Sequence, residues 1–385
     1  MNLWLVFIIL SLSASASGLA FSPKQAGAIG RKAFLAGAAG GIVAGTAAAA
    51  GAAVEANNQI NKKAPYEPSL DSLKGQVIVI TGGSTGLGLE SAKRLSAAGA
   101  TVVFTSRTAA KGEKAMESVM DYLNNKGIGE KAKVYNIVLD LDDLDSVKAF
   151  PGSYKQLGLG NIDVLMNNAG VMAVPDLQLT KDGYERTFQS NHLGHFVLTA
   201  GLFPMLSKEK ATVINVSSEA FNFASTKNGQ GLDFENLNGE RIYGPWSSYG
   251  LTKLANILFT QELQRRADSA GISGLTVVAL HPGAVATDLG RYLVGEEKWN
   301  ELKTKGPSGF EAFALNAASI FTKTVPEGAS TQVFLAAGAD GTLKKGSFYE
   351  DMKEKKNLPK WAKDETAAKE LWEISEELGG VRFNL

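Results

Sequence analysis

The sequence predicts an α/β fold, a doubly wound parallel sheet in a single domain over residues 74–380, preceded by a targeting presequence. Short apolar runs rich in Val and Ile recur along the chain. They are continuous rather than alternating, as strands covered on both faces must be. Stretches of helical periodicity separate them, which is the order that builds a parallel sheet.

In chain order, the presequence comes first. Residues 3–12, LWLVFIILSL, form an apolar run too short to span a bilayer comfortably, and the small residues after it end at Ala20, so residues 1–20 read as a signal peptide. Residues 21–65 carry Lys24, Arg31, Lys32, Lys62 and Lys63 against one acid, Glu55, and are rich in Ala, Gly and Ser, the bias of an organelle transit peptide. The junction ASGLAFSP resembles the bipartite presequences of algae with plastids of secondary origin, which implies a plastid address, with the endomembrane system as alternative. Ala33 to Val54 carries no charge over 22 residues. It reads as a membrane anchor, as a weakened twin-arginine thylakoid signal with Lys32 in the second arginine's place, or as an Ala-rich transit peptide and linker.

The fold begins at VIVITGGSTGLGLESAKRLSAAGATVVFTSRT. Val77 to Ile80 reads as a buried strand, Thr81 to Gly88 as a glycine-rich turn, Leu89 to Ala98 as a helix and Thr101 to Thr105 as a second strand. Glycines let backbone approach a pyrophosphate, whose charge the amides at a helix N-terminus can meet, so the unit is a Rossmann-type dinucleotide site. A ribose partner belongs at the end of the second strand, where an Asp or Glu would bind a 2′-hydroxyl. Ser106 and Arg107 stand there instead, and a guanidinium that can grip a 2′-phosphate predicts NADP rather than NAD.

Later segments repeat the pattern. VYNIVLDLDDLDSV reads as a strand ending at Asp140 and IDVLMNNAGV as one ending in Asn167-Asn168-Ala169-Gly170. YERTFQSNHLGHFVLT reads as one long helix, ATVINVSSEA as a strand ending in Ser217-Ser218, and LTVVALHPGAVATDL as a strand that leaves through Pro282-Gly283. In SSYGLTKLANIL, Tyr249 and Lys253 stand one helical turn apart and share a face. Alone, that run is an amphipathic surface helix. Pro326 to Gly328 opens another helix and KKGSFYE a last strand.

Composition excludes other classes. Lys plus Arg and Asp plus Glu number 39 each, so no field favours nucleic acid, and no nucleic-acid partner is expected. The chain has no cysteine, which removes disulfides, thiolate nucleophiles and Cys-ligated zinc. His192 and His195 lack an accompanying carboxylate pattern, and no metal is expected.

Together these motifs resemble the short-chain dehydrogenase/reductase family, whose turn has the T-G-x-x-x-G-x-G spacing found here. The resemblance covers about residues 74–380 and is nearest the retinol dehydrogenases and the dehydrogenase domain of the WW-domain-containing oxidoreductase, on NHLGHFVLT, YGLTKLANILFT and AAKELWEISEELGG. It implies Asn191, Ser218, Tyr249 and Lys253 as catalytic residues: the serine polarises a carbonyl, the tyrosine passes the proton, the lysine holds the nicotinamide ribose, and the asparagine kinks a helix and carries a relay water. A phenol titrates near ten, and an ammonium one turn away, together with the positive nicotinamide of the oxidised cofactor, is expected to lower that value. The implied NADP(H) contacts are Thr81, Gly82, Ser84, Thr85, Gly86, Leu87, Gly88, Ser106, Arg107, Asp140, Leu141, Asn168, Ala169, Gly170, Tyr249, Lys253, Pro282, Gly283, Val285 and Thr287.

Ser218 and Tyr249 lie 31 positions apart, and the insertion GLDFENLNGERIYGPWSS between them is similar to the retinol-dehydrogenase branch and is expected over the site mouth. Tyr292, Leu293, Trp299, Phe310, Phe313 and Phe321 are the expected substrate-pocket side chains. The expected substrate is a lipophilic aldehyde, ketone or alcohol, and the sequence is compatible with membrane association and a homodimer. Two alternatives stay open: a protochlorophyllide reductase-like plastid enzyme, against which the absence of cysteine counts, and a cofactor-sensing binding protein with little turnover.

Overall fold

The computed structural model describes residues 64–285, 323–338 and 343–385. Eight strands form one sheet in the order β10-β9-β8-β5-β4-β1-β2-β3, parallel throughout except for the terminal β9–β10 hairpin. The strands are β1 Val77–Ile80, β2 Thr101–Ser106, β3 Val134–Val138, β4 Val164–Asn167, β5 Ala211–Val216, β8 Leu275–His281, β9 Phe348–Glu350 and β10 Lys353–Glu354. A separate small hairpin joins β6 Ser225–Thr226 to β7 Gly229–Gln230. Every residue of β1, β4 and β5 is buried, which accounts for their unbroken apolar sequence.

Helices cover both faces: α1 Gly86–Ala97, α2 Ala109–Asn125, α3 Leu144–Gln156, α4 Gly194–Leu202, α5 Pro245–Ser269, α6 Val325–Ala336 and α7 Glu365–Gly379. Two apolar cores result, one holding Phe150, Phe188, Phe196, Phe259 and Trp372, the other Ile78, Ile80, Phe104 and Val333. In the first, Trp372 of α7 meets Phe196 at 5.1 Å and Phe383 at 4.5 Å between ring centroids. Phe383 lies beyond residue 380. At the other end Tyr66 donates its N–H to Ser330 Oγ at 3.0 Å and sets its ring against Phe334, so the packing extends past 74–380 in both directions. Among the described residues no helix is long and apolar enough to cross a membrane.

Two sequence expectations need correction. The strand expected to end at Asp140 stops at Val138, because Asp140 turns its carboxylate back to accept the Asp142 N–H at 3.0 Å. The long helix expected from Tyr184 starts at Arg186 and runs without a gap to Leu202, as the turn Arg186–Phe188, a π-helical segment Gln189–Leu193 and then α4, with the distortion at Asn191. The cause is Asn191, whose side chain is held by the strand-end loop next door, widening the turn.

Candidate active site

Strand order reverses between β1 and β4, and in such sheets the C-terminal ends on either side of that point open a ligand crevice. One wall is the turn Gly82–Gly88. Gly82 has φ +65°, and a Cβ on it would lie 2.9 Å from Ala169 Cα; a Cβ on Gly88 would lie 2.4 Å from Gly82 O. The turn delivers α1, whose N-cap Thr85 makes no side-chain bond to the helix amides and whose first turn has no acid. By contrast α2 and α3 are capped by Thr108 and Asp143. The start of α1 therefore keeps its amides and its positive dipole end for an anion, and the residues fit a dinucleotide pyrophosphate.

The other wall is Asn168-Ala169-Gly170, fixed through Thr81. The Thr81 hydroxyl accepts N–H bonds from Asn168 at 2.9 Å and Ala169 at 3.0 Å. It also lies 2.9 Å from His195 Nε2. His195 Nδ1 is 3.1 Å from the Asn191 carbonyl, which can only accept, so the ring proton is on Nδ1 and Nε2 accepts from Thr81. Burial lowers this imidazole to about 3, keeping it neutral in that tautomer. His192 is likewise spent, between Ser375 Oγ at 3.0 Å and Asn256 Oδ1 at 3.4 Å. Gln332 of α6 ties the walls together, donating to Leu87 O, Ser91 Oγ and Asn168 Oδ1.

At the adenosine end, Ser106 is the last residue of β2 and is buried, its hydroxyl bonded to Thr108 O and Asn136 Oδ1. Arg107 stays 39% exposed, its guanidinium held loosely by Asp140 at 3.6 Å and Asp142 at 3.7 Å, and is free to turn toward a ligand. Leu141 is buried, its carbonyl accepting from Gln189 Nε2. Pro282 leaves β8 and Val285 bridges to Lys323. Thr287, like Tyr292, Leu293, Trp299, Phe310, Phe313 and Phe321, lies outside the described residues.

The reacting groups converge above this crevice. Of the serine pair, Ser217 donates to Lys253 O at 2.6 Å, while Ser218 caps a short 3-10 helix, Glu219–Phe223, with its hydroxyl close enough to Tyr249 to act on the phenol. That short helix packs against α5 at Gly250, where a Cβ would lie 2.5 Å from Ala220 O. Gly250 is thus what lets the serine reach the tyrosine, and a glycine inside a helical run was the available signal for it. Asn191 Oδ1 accepts the Val171 N–H at 2.8 Å, and Nδ2 donates to Val171 O and to Thr252 Oγ1, which itself bonds Tyr249 O.

Lys253 by itself does not bring Tyr249 down. Its ammonium sits over the phenol ring, 5.4 Å from the centroid, and donates to Val216 O at 3.1 Å. Tyr249 is pushed up to about 12 by burial, the Ser218 hydroxyl pulling weakly the other way, and burial brings Lys253 down to about 8. Desolvation outweighs the charge pair because the ammonium meets the ring face rather than the phenol oxygen. Trp246, from the insertion, meets Tyr249 edge-to-face at 6.2 Å between ring centroids, and Phe223 packs on Trp246 at 5.9 Å, so the phenol has aromatic neighbours.

A phenol with a hydroxyl close by, beside a dinucleotide crevice, suits the exchange of a hydride with a nicotinamide and of a proton with an oxygen, so the protein is an NAD(P)-linked oxidoreductase. It belongs to the short-chain dehydrogenase family, a model of which matches residues 76–230, and it is retinol dehydrogenase-like. Retinol dehydrogenase 14 of Mus musculus is 37% identical over 314 residues, covering 80% of this chain and 87% of that protein. The chloroplastic short-chain dehydrogenase TIC 32 A of Brassica napus is 31% identical, covering 80% and 90%. A crystal structure of an uncharacterised protein from Mycobacterium paratuberculosis matches with a TM-score of 0.61 at 33% identity, over 83% of this chain and all of that one.

Proposed function

We propose that the protein transfers hydride between NADPH and a lipophilic aldehyde or ketone, or runs the reverse on the alcohol. The observation that carries this reading is the approach of Ser218 to Tyr249 beside buried Lys253, at the open end of the dinucleotide crevice. Bound NADPH supplies the hydride. Ser218 donates a hydrogen bond to the carbonyl oxygen. Tyr249, a neutral phenol at neutral pH, gives that oxygen its proton, and Lys253 holds the nicotinamide ribose near its position on Val216 O. Asn191 keeps the Val171 loop in place and carries the relay to solvent.

Arg107 supports NADP, since no carboxylate ends β2 and its guanidinium is loosely held. The aromatic residues Phe223 and Trp246 beside the phenol, and the retinol named for the mouse relative, support a lipophilic substrate. The acid-poor presequence and the chloroplastic Brassica relative support a plastid location.

The test follows NADPH and NADH oxidation at 340 nm with retinal, an apocarotenal, medium-chain aldehydes and a steroid ketone. NADPH-dependent turnover that falls by about a thousand-fold or more in Tyr249→Phe, with cofactor still bound, is the expected result. Tight NADPH binding with no turnover on any of them refutes the reductase and leaves cofactor sensing.

A further inference from the structure

Glu219 directly follows Ser218, and it is fixed twice. Its N–H donates to His281 Nδ1 at 3.3 Å, at the end of β8. Its carboxylate takes a short hydrogen bond from Lys355 Nζ, which also lies 3.0 Å from Glu350 Oε2. The three side chains are 13%, 29% and 24% exposed, drier than an ordinary surface pair. Lys355 in turn is anchored by its own N–H to Phe348 O at 2.8 Å, so it belongs rigidly to the β9–β10 edge hairpin.

The turn of that hairpin reaches the loop that follows β8. Its turn residue Asp351 pairs with Lys323, and Lys323 donates to Pro282 O at 3.1 Å. Lys323 lies directly over Gly283, where a Cβ would sit 2.8 Å from its Nζ. The turn itself is built in left-handed backbone at both positions, Asp351 with φ 49° and Met352 with φ 61°. Two-residue hairpin turns of that shape normally take Asn-Gly, so a Met there is strained and persists only because its surroundings hold it. The holders are Lys323 on Asp351 and Thr331 Oγ1, which accepts the Met352 N–H at 3.3 Å.

We propose that this hairpin is a clamp that sets the distance between Ser218 and the Pro282-Gly283 turn, with Lys355 as a positioning residue for hydride transfer. It rests on the reductase reading above. Lys355 touches neither reacting group; it acts through Glu219 on the serine's backbone, while Asp351 acts through Lys323 on the turn.

The experiment compares the full chain with its Lys355→Met and Lys355→Arg variants, using NADPH oxidation, NADPH binding by nicotinamide fluorescence, and amide hydrogen exchange of peptides covering residues 217–223. Lys355→Met is expected to lower kcat about ten-fold while NADPH affinity stays within about two-fold, because a small misplacement of a catalytic group is felt in the chemical step. Exchange at 218–221 should quicken by a similar factor, and Lys355→Arg should restore most of both. Unchanged kcat and exchange in Lys355→Met overturn the clamp, as does a loss of kcat that merely tracks lost NADPH binding. Should Lys355→Met fail to fold, Glu219→Gln, which keeps the side chain's size and removes the charge pair, carries the same expectations. A parent chain without turnover defeats the reductase reading alone, since exchange at Ser218 still judges the clamp.

Discussion

Thr81→Val is the sharpest test of how the crevice is built. Valine keeps the volume at a fully buried position and deletes one oxygen, which here serves three partners: the Asn168 and Ala169 amides and His195 Nε2. Counting about 1 kcal/mol for each amide, which is partly buried, and about 1–2 kcal/mol for the dry imidazole nitrogen gives a loss near 3 kcal/mol. In a domain of about 300 residues that lowers Tm by roughly 5 °C. The wall Asn168–Gly170 also loses its anchor, so Kd for NADPH should rise about ten-fold. Thermal unfolding followed by circular dichroism and a fluorescence titration of NADPH read the two effects. Thr81→Ser, which keeps the hydroxyl, should stay within about 1 kcal/mol of the parent. A Thr81→Val protein within about 2 °C of the parent, with unchanged Kd, refutes the hub.

Other perturbations follow from the same geometry. Arg107→Asp places a carboxylate where a 2′-phosphate would lie and should raise KM for NADPH by about 10–100-fold while NADH is little affected; equal changes for both count against the NADP assignment. Lys253, lowered to about 8 by burial, holds its proton below that value and loses it above, whereas Tyr249 near 12 stays protonated. Hence kcat/KM for carbonyl reduction should fall above about pH 8, and Lys253→Arg should move that limb upward; a parent profile flat to about pH 10 contradicts this. His192, His195 and His281 are lowered from 6.5 to about 4, 3 and 3 by burial. The unfolded chain takes up protons first, so stability is lost as pH falls below about 6.5, by roughly 2 kcal/mol per histidine at about pH 5. A Tm unchanged between about pH 7 and pH 5 rules this out.

What the sequence reveals follows distance along the chain. The β-branched runs at Val77–Ile80 and Ala211–Val216 are legible because burial on both faces writes itself into every residue of a strand. The glycine turn and the Tyr249-Lys253 spacing are legible because each is local. Three things were hidden. The direction of the Tyr249 shift depends on how dry the phenol is and on where the ammonium points, and neither is set by a spacing of four. The kink at Asn191 was implied by the resemblance, but its cause, a bond to Val171 20 positions away, was not. Lys355 meets Glu219 across 136 positions, and two charges so far apart look like ordinary surface residues until the sheet brings the β9–β10 hairpin alongside β8.

Every residue of α5 from Tyr249 to Thr260 is buried, although the run taken alone reads as an amphipathic surface helix. Such a helix has no free side on which to drift. The phenol and the ammonium are therefore mounted on a part whose movement would disturb both the sheet and the aromatic core, and Trp246 stands in the first turn of the same helix, where the insertion ends. On the proposed function, chemistry and selection are then carried by parts held to different degrees: the residues before Pro245 have room to vary, while Tyr249 and Lys253 do not.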